Sequence, residues 1–166
     1  MTAAMAAGLL PSGERARMAE DPIAETLRQL LCTQRFAVLS TDWQGAPYAS
    51  LVAFAATEDL REMVFATLRH TRKYENLLAN RRAAMLVDNR SNEAADYGES
   101  VAATALGLVV ELQGLERERL LALYLAKHPH LGTFATAADC ALFQVAVGEY
   151  VVSRFSQGAV TYRPAP

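Results

Sequence analysis

The sequence predicts a mainly β (α+β) fold, a closed antiparallel β-barrel of about six to seven strands with a few peripheral helices. Two observations lead there. The apolar runs rich in Val, Phe, Ala and Thr are strand-length and mostly joined as hairpins, and helical periodicity is confined to a few short stretches. A doubly wound parallel sheet would need regular strand–helix alternation. No internal repeat and no low-complexity linker interrupts the pattern.

Each element follows from local chemistry. Asp21 can accept from free helix amides, Pro22 suits the first helical position, and Ile23, Leu27, Leu30 and Leu31 recur at helical spacing, which predicts a helix ending near Gln34. Phe36 to Thr41 reads as a buried strand; DWQG, with Gly45 supplying the turn, leads to its hairpin partner Ala46 to Thr57. Trp43 is placed in that turn. Glu62 to Thr67 is a third strand, Arg72 to Leu78 a helix, and Ala83 to Asp88 a fourth strand. Asn89 to Gly98 is polar and reads as a structureless surface loop. Val101 to Gln113 is a long strand interrupted at Gly107, followed by an amphipathic helix, Glu116 to Lys127, whose apolar part holds Leu120, Leu121, Leu123, Tyr124 and Leu125. Pro129 stops it. His130 to Ala138 reads as a short helix or turn, Ala141 to Phe155 as a strand, and Val160 to Tyr162 as a last short strand.

The length of 166 residues fits one domain able to bury its apolar surface without metal or disulfide staples. The start MTAAMAAGLLP has no basic residue ahead of its apolar run, so residues 1–20 are expected to be a mobile tail and 21–166 a single domain. A formal net charge of -2 advertises no general nucleic-acid binding, and no apolar run reaches the roughly 18 residues of a membrane span. Cys32 and Cys140 form no CxxC pair, and a reduced, cytoplasmic setting is the plain reading. There is no GxSxG elbow, no HExxH, and no glycine-rich dinucleotide or P-loop fingerprint.

One segment stands out in this slightly acidic chain. Between the third strand and the following helix lie Arg69, His70, Arg72 and Lys73, with no carboxylate before Glu75 and with Thr71 placed to cap the helix. Cations at a helix N-terminus oppose the dipole and cost a few tenths of a kcal/mol each, unless an anion is bound. A phosphate would reverse that penalty through the amides of the first turn, the hydroxyls of Thr67 or Thr71, and Arg72 and Lys73. The competing reading is a set of solvated surface cations. The helix itself carries Tyr74, Leu77 and Leu78 on one face, which reads as core packing.

The strand ending in Thr67, then Thr71, the Arg72–Lys73 pair, an apolar helix with Asn80 and the strand AAMLVD resembles, without a gap, the flavin-binding split-barrel family typified by pyridoxamine 5'-phosphate oxidase. The likeness extends from Ile23 to about Tyr162. It implies a split barrel that binds flavin mononucleotide (FMN), with Arg72 and Lys73 on the phosphate, Thr67 and Thr71 as hydroxyl donors and Ala66 beside them. It also implies that Ala49, Ser50, Leu51 and Val52 lie along the isoalloxazine edge, and that two copies form a homodimer with flavin at the interface. The tryptophan and arginine pattern by which true pyridoxamine phosphate oxidases hold the substrate phosphate is missing; SRFSQG offers Arg154 with only a phenylalanine beside it. The resemblance therefore points to the small family members with other substrates, not to vitamin B6 oxidation.

Three functions stay open at this point: an FMN-dependent oxidoreductase acting on a small organic or nicotinamide substrate, a haem-binding or haem-utilisation protein, and a flavin carrier without turnover. A deazaflavin cofactor is a variant of the first. His128 and His130 could be haem or metal ligands, although no Cys, Asp or Glu completes a spacing motif; the simpler reading has His128 and Lys127 complementing the carbonyl end of their own helix. Trp43 reads as an interface or structural aromatic, Cys140 as inert and Cys32 as partly exposed. Asp88 and Arg154 are pocket candidates or strand-end surface charges.

Overall fold

The first hairpin is set by its turn. Gln44 and Gly45 have φ of 52° and 86°, the left-handed pair that a two-residue hairpin turn requires, and the Gly45 N–H donates to Asp42 Oδ1 at 3.2 Å. Strand β1 (Phe36–Trp43) therefore runs past the expected end at Thr41 and carries Trp43 as its last residue, not as part of the turn. It pairs with β2 (Ala46–Ala56) from Trp43↔Ala46 to Phe36↔Ala53. The structure, a computed structural model, describes residues 21–155 and 157–165; the expected tail over 1–20 lies outside them.

Five further strands complete an antiparallel sheet: β3 (Glu62–Leu68), β4 (Arg82–Asp88), β5 (Ala102–Glu111), β6 (Cys140–Arg154) and β7 (Gly158–Tyr162). Their order is β3-β2-β1-β4-β5-β6-β7, and an additional β3–β6 pairing closes six of them into a barrel, with β7 hanging from the far half of β6. Every strand pair is antiparallel, as the hairpin-rich order predicts. β6 can serve three neighbours because it is 15 residues long.

Inward-facing Leu39, Phe54, Phe65, Met85, Val145 and Tyr150 fill the barrel. Helix α1 (Pro22–Thr33), capped by Asp21 Oδ1 on the Ile23 amide at 2.9 Å, adds Leu27, Leu30 and Leu31 at the end near the β2–β3 turn, where Arg28 Nε donates to Glu58 O. Helix α2 (Arg72–Ala79) sits at the opposite end beside the β1–β2 turn. Leu77 is buried and Tyr74 packs against the core beside Phe143, as expected, but Leu78 is 61% exposed and Asn76 takes the inward place instead. A separate cluster on the outside of the barrel packs α4 (Gly114–Lys127) and α5 (Gly132–Thr136) against Ala55, Val64, Ala66 and Leu142.

The segment Asn89 to Gly98 is not structureless. The Asp96 carboxylate accepts from the amides of Ser91, Asn92 and Glu93, and a single helical turn, α3 (Asp96–Glu99), follows. Gly107 is the irregularity its sequence position suggests: the β5–β6 register shifts there, and a Cβ at this residue would lie 2.3 Å from Ala146 O. Gly107→Val should therefore lower stability by about 1–3 kcal/mol, read as the shift in urea midpoint at constant slope. An unchanged midpoint would show that β6 yields freely at this point.

Candidate functional site

β3 pairs with β6 along all seven of its residues but with β2 over only three pairs, Phe54↔Phe65, Ala55↔Val64 and Ala56↔Met63. Beyond Phe54 and Phe65 the two strands part. In an antiparallel strand, alternate residues direct their N–H and C=O groups to opposite edges, so the edge of β2 from Ala53 back to Ala46 presents unpaired backbone groups toward Ala66–Leu68 of β3. All the residues expected along the isoalloxazine edge lie on this stretch. Ala49 and Leu51 face outward, Leu51 at 65% exposure, while Ser50 and Val52 face inward. The Ser50 Oγ is buried with no hydrogen-bond partner among the described residues.

The turn after β3 leads into this cleft. Thr67 is buried, and its Oγ1 lies 3.0 Å from Thr71 Oγ1. Thr71 donates its hydroxyl proton to Leu68 O at 2.8 Å, so the proton between the two hydroxyls comes from Thr67. Thr71 does not cap α2 as expected: its side chain turns back toward β3, and the helix starts with no side-chain acceptor on its amides. Ala66 contributes backbone only, since its side chain packs under α4 and α5.

The four cations separate into distinct roles. Arg69 is not part of an open cluster: its Nη2 meets Glu111 Oε1 at 2.5 Å and its Nη1 donates to Tyr74 Oη at 2.8 Å. Glu111, from β5, supplies the carboxylate that the local sequence lacks. His70 is exposed. Arg72 and Lys73 have no carboxylate partner among the described residues, and the Arg72 guanidinium stacks 4.7 Å from the Tyr48 ring centroid on β2. That stack places one cation over the strand whose edge is open.

Two residues that sequence reasoning missed fix this arrangement. Asn76, buried within α2, donates from Nδ2 to Thr41 Oγ1 at 2.9 Å, and Tyr48 provides the Arg72 platform. The only signal for Asn76 was its presence mid-helix, where asparagine is a poor helix former. Asn80 adds a contact to Asp42 Oδ1 at 3.5 Å and accepts from the Arg82 amide.

The other candidates disperse. His128 is buried, with Nε2 2.8 Å from Phe54 O; a carbonyl can only accept, so this nitrogen carries the proton and is held away from ligation. Lys127 does not complement its own helix either: its Nζ donates to Leu31 O, a carbonyl in the last turn of α1. His130 is exposed, Asp88 pairs with Arg90 at 3.1 Å, Arg154 ends β6, and Trp43 is 43% exposed. Cys140 is buried and its thiol is pushed up by that burial, whereas Cys32 is exposed. Among the described residues no group of three or more His, Cys, Asp or Glu could hold a metal ion.

A sequence model of the family described as pyridoxamine 5'-phosphate oxidase matches residues 23–147, more than half of the chain. The chain belongs to the pyridoxamine 5'-phosphate oxidase family. A search of curated proteins finds no match. Among solved structures, a heme binding protein from Mycobacterium smegmatis superposes with TM-score 0.77 at 18% identity, covering 89% of this chain and 60% of that one. This chain thus spans less than two thirds of the mycobacterial protein. A FAD-binding protein from Mesorhizobium loti gives 0.61 at 17% identity, covering 78% and 92% of the two chains. A protein from Clostridium acetobutylicum related to general stress protein 26, of the pyridoxinephosphate oxidase family, gives 0.64 at 14%, covering 85% and 94%. The split barrel of the family is thereby the fold of this chain.

Two measurements test the local account. Asn76→Ala leaves the Thr41 hydroxyl without its donor and should cost about 1–3 kcal/mol in urea unfolding; a cost near zero would show that the bond does not hold α2. Burial, the largest cause, keeps the His128 imidazole below its ordinary 6.5. The unfolded chain then binds this proton first, so stability should fall as pH drops below about 6.5. The difference between pH 7.5 and 5.5 should shrink in His128→Asn; an equal difference in both proteins would assign the effect to other groups.

Proposed function

We propose that the chain is an FMN-binding flavoprotein that works as an oxidoreductase, passing hydride or electrons to or from a small organic or nicotinamide substrate. The observation that carries this reading is a helix start without a side-chain cap, flanked by Arg72 and Lys73 and set at a cleft between two unpaired strand edges. Uncapped amides and cations of one sign are stable together when an anion joins them.

The residues fit the group. Arg72 and Lys73 would hold the phosphate together with the first amides of α2, and the Thr67–Thr71 hydroxyl pair would offer further donors by rotating. Ser50 Oγ, buried without a partner, and the open backbone of Ala49–Val52 would receive the polar edge of the ring system. Flavin, when bound, supplies the hydride and electron chemistry. The chain places it, and no side chain is assigned a catalytic role. The same cations would hold a deazaflavin cofactor, and a carrier without turnover would use the same contacts.

The outer sheet face supports a homodimer with the cofactor at its interface. By register, Leu51, Val38, Leu86, Thr104 and Val151 form one outward stripe across five strands, with Phe36 and Leu108, 56% and 54% exposed, on the same face. This stripe reaches Leu51, at the flavin cleft, so a second copy covering it would also close over the cofactor. No helix among the described residues is long and apolar enough to cross a membrane, and a cytoplasmic setting suits the free Cys32 and Cys140. Haem is the alternative occupant, since the similar mycobacterial structure is that of a heme binding protein.

The absorption spectrum of the purified protein, with the mass of the molecule released by heat, separates these readings. Flavin bands and the mass of FMN are expected; a Soret band would move the assignment to haem. Replacing Arg72 and Lys73 together by alanine should weaken FMN binding about a hundredfold or more with the circular dichroism unchanged, since charge-assisted bonds contribute about 1.5–3 kcal/mol each. Unaltered affinity in that double variant would sink the phosphate assignment. Leu86→Glu, on the stripe, should shift the protein to monomer in sedimentation velocity and reduce flavin retention; an intact dimer would place the interface elsewhere.

A further inference from the structure

At the other end of β2, a cavity of about 640 Å³, open on one side to solvent, lies between α1, the β2–β3 turn and α4. That is within the range of small-molecule sites. Its walls are largely apolar, formed by Leu31, Ala55, Ala56, Leu60, Leu123 and Ala126. Two cations, Arg28 and Lys127, and two carboxylates, Glu25 and Glu58, lie along them.

We propose that this cavity is a second ligand site, separate from the flavin cleft, that takes an apolar monocarboxylate with its head group on Lys127 Nζ. The ammonium is half-buried, lies 4.0 Å from the Phe54 ring centroid and donates to Leu31 O at 2.6 Å. An ammonium has three donors; one is used by Leu31, the aromatic face accounts for at most one more, and no carboxylate lies within ion-pair distance among the described residues. A desolvated cation without an anion is an unfavourable arrangement that a bound carboxylate relieves.

The surrounding charges define the ligand class. Glu25 at the rim is engaged by Arg28 at 3.4 Å, and the same arginine bonds the Glu58 carbonyl, so the carboxylate of Glu25 is drawn to the surface instead of to Lys127. Cys32, in the last turn of α1, and Arg35, just beyond that helix, lie near Lys127, His128 adjoins it, and Glu58 lines the cavity from the β2–β3 turn. With Arg28 held by Glu25, Lys127 is the cation left for a ligand, and between mostly apolar walls it suits a single negative charge on an apolar body.

Burial, first among its causes, lowers Lys127 to about 8, so the ligand preference carries its own pH signature. In calorimetry on the full chain at pH 7, octanoate should bind at least about tenfold tighter than octan-1-ol, one decade being about 1.4 kcal/mol. The preference should fade as pH rises through 8 to 9.5, while octan-1-ol binding stays flat. Lys127→Met should bring the two ligands to equal affinity. Because that change also removes a bond to α1, Ala126→Trp serves as a second variant: it fills the cavity, leaves Lys127 in place, and should abolish binding of both. Equal affinity for the two ligands in the unaltered protein, no binding of either, or an octanoate preference that survives Lys127→Met would each overturn the proposal.

Discussion

The structure depends on the unequal partnership of β3, which follows β6 for its whole length and β2 for three residue pairs. Closing the barrel through β6 leaves β2 with a free edge that no other described strand takes up. Unpaired backbone groups at a sheet edge are a liability in water and invite another chain or a planar polar ligand. The fold therefore creates its candidate site as a consequence of how it closes, before any side chain is considered.

Side chains then give that opening its sign. α2 begins without a cap because Thr71 spends its hydroxyl on Leu68 O, and Arg69 is withdrawn by Glu111 from β5. What remains is a pair of cations, one stacked on Tyr48, above a buried Thr67. The position of the helix is held from behind by the Asn76–Thr41 bond. With Arg69 held by Glu111, Arg72 and Lys73 are the cations left at the start of α2.

Much of the fold was legible because it rests on local signals. Asp21–Pro22 marks the start of α1, Gly45 the hairpin and Gly107 the bulge, and each carries its own chemistry. Ala49–Val52 fall on the open edge of β2 and Arg72 reaches that strand through Tyr48, placements that follow from strand alternation and from the short Thr67 to Lys73 turn. What escaped were facts of register and long-range pairing. Glu111 is far along the chain from Arg69; Asn76 reads as an ordinary helical polar residue; Leu78 falls on the expected apolar face but is rotated to solvent because Asn76 takes the inward place. The loop before β5 looked structureless because its order comes from one carboxylate, Asp96, satisfying three amides, which composition does not reveal.

If the anion site at α2 is what selects the cofactor, then the phosphate, not the ring system, should dominate binding. The direct measurement compares the affinity of the purified apoprotein for FMN with that for riboflavin, which differs only in lacking the phosphate. The expected result is FMN binding tighter by about a hundredfold or more, as two charge-assisted contacts at roughly 1.5 kcal/mol or above would give. Equal affinities would contradict the account and leave Arg72 and Lys73 as surface charges.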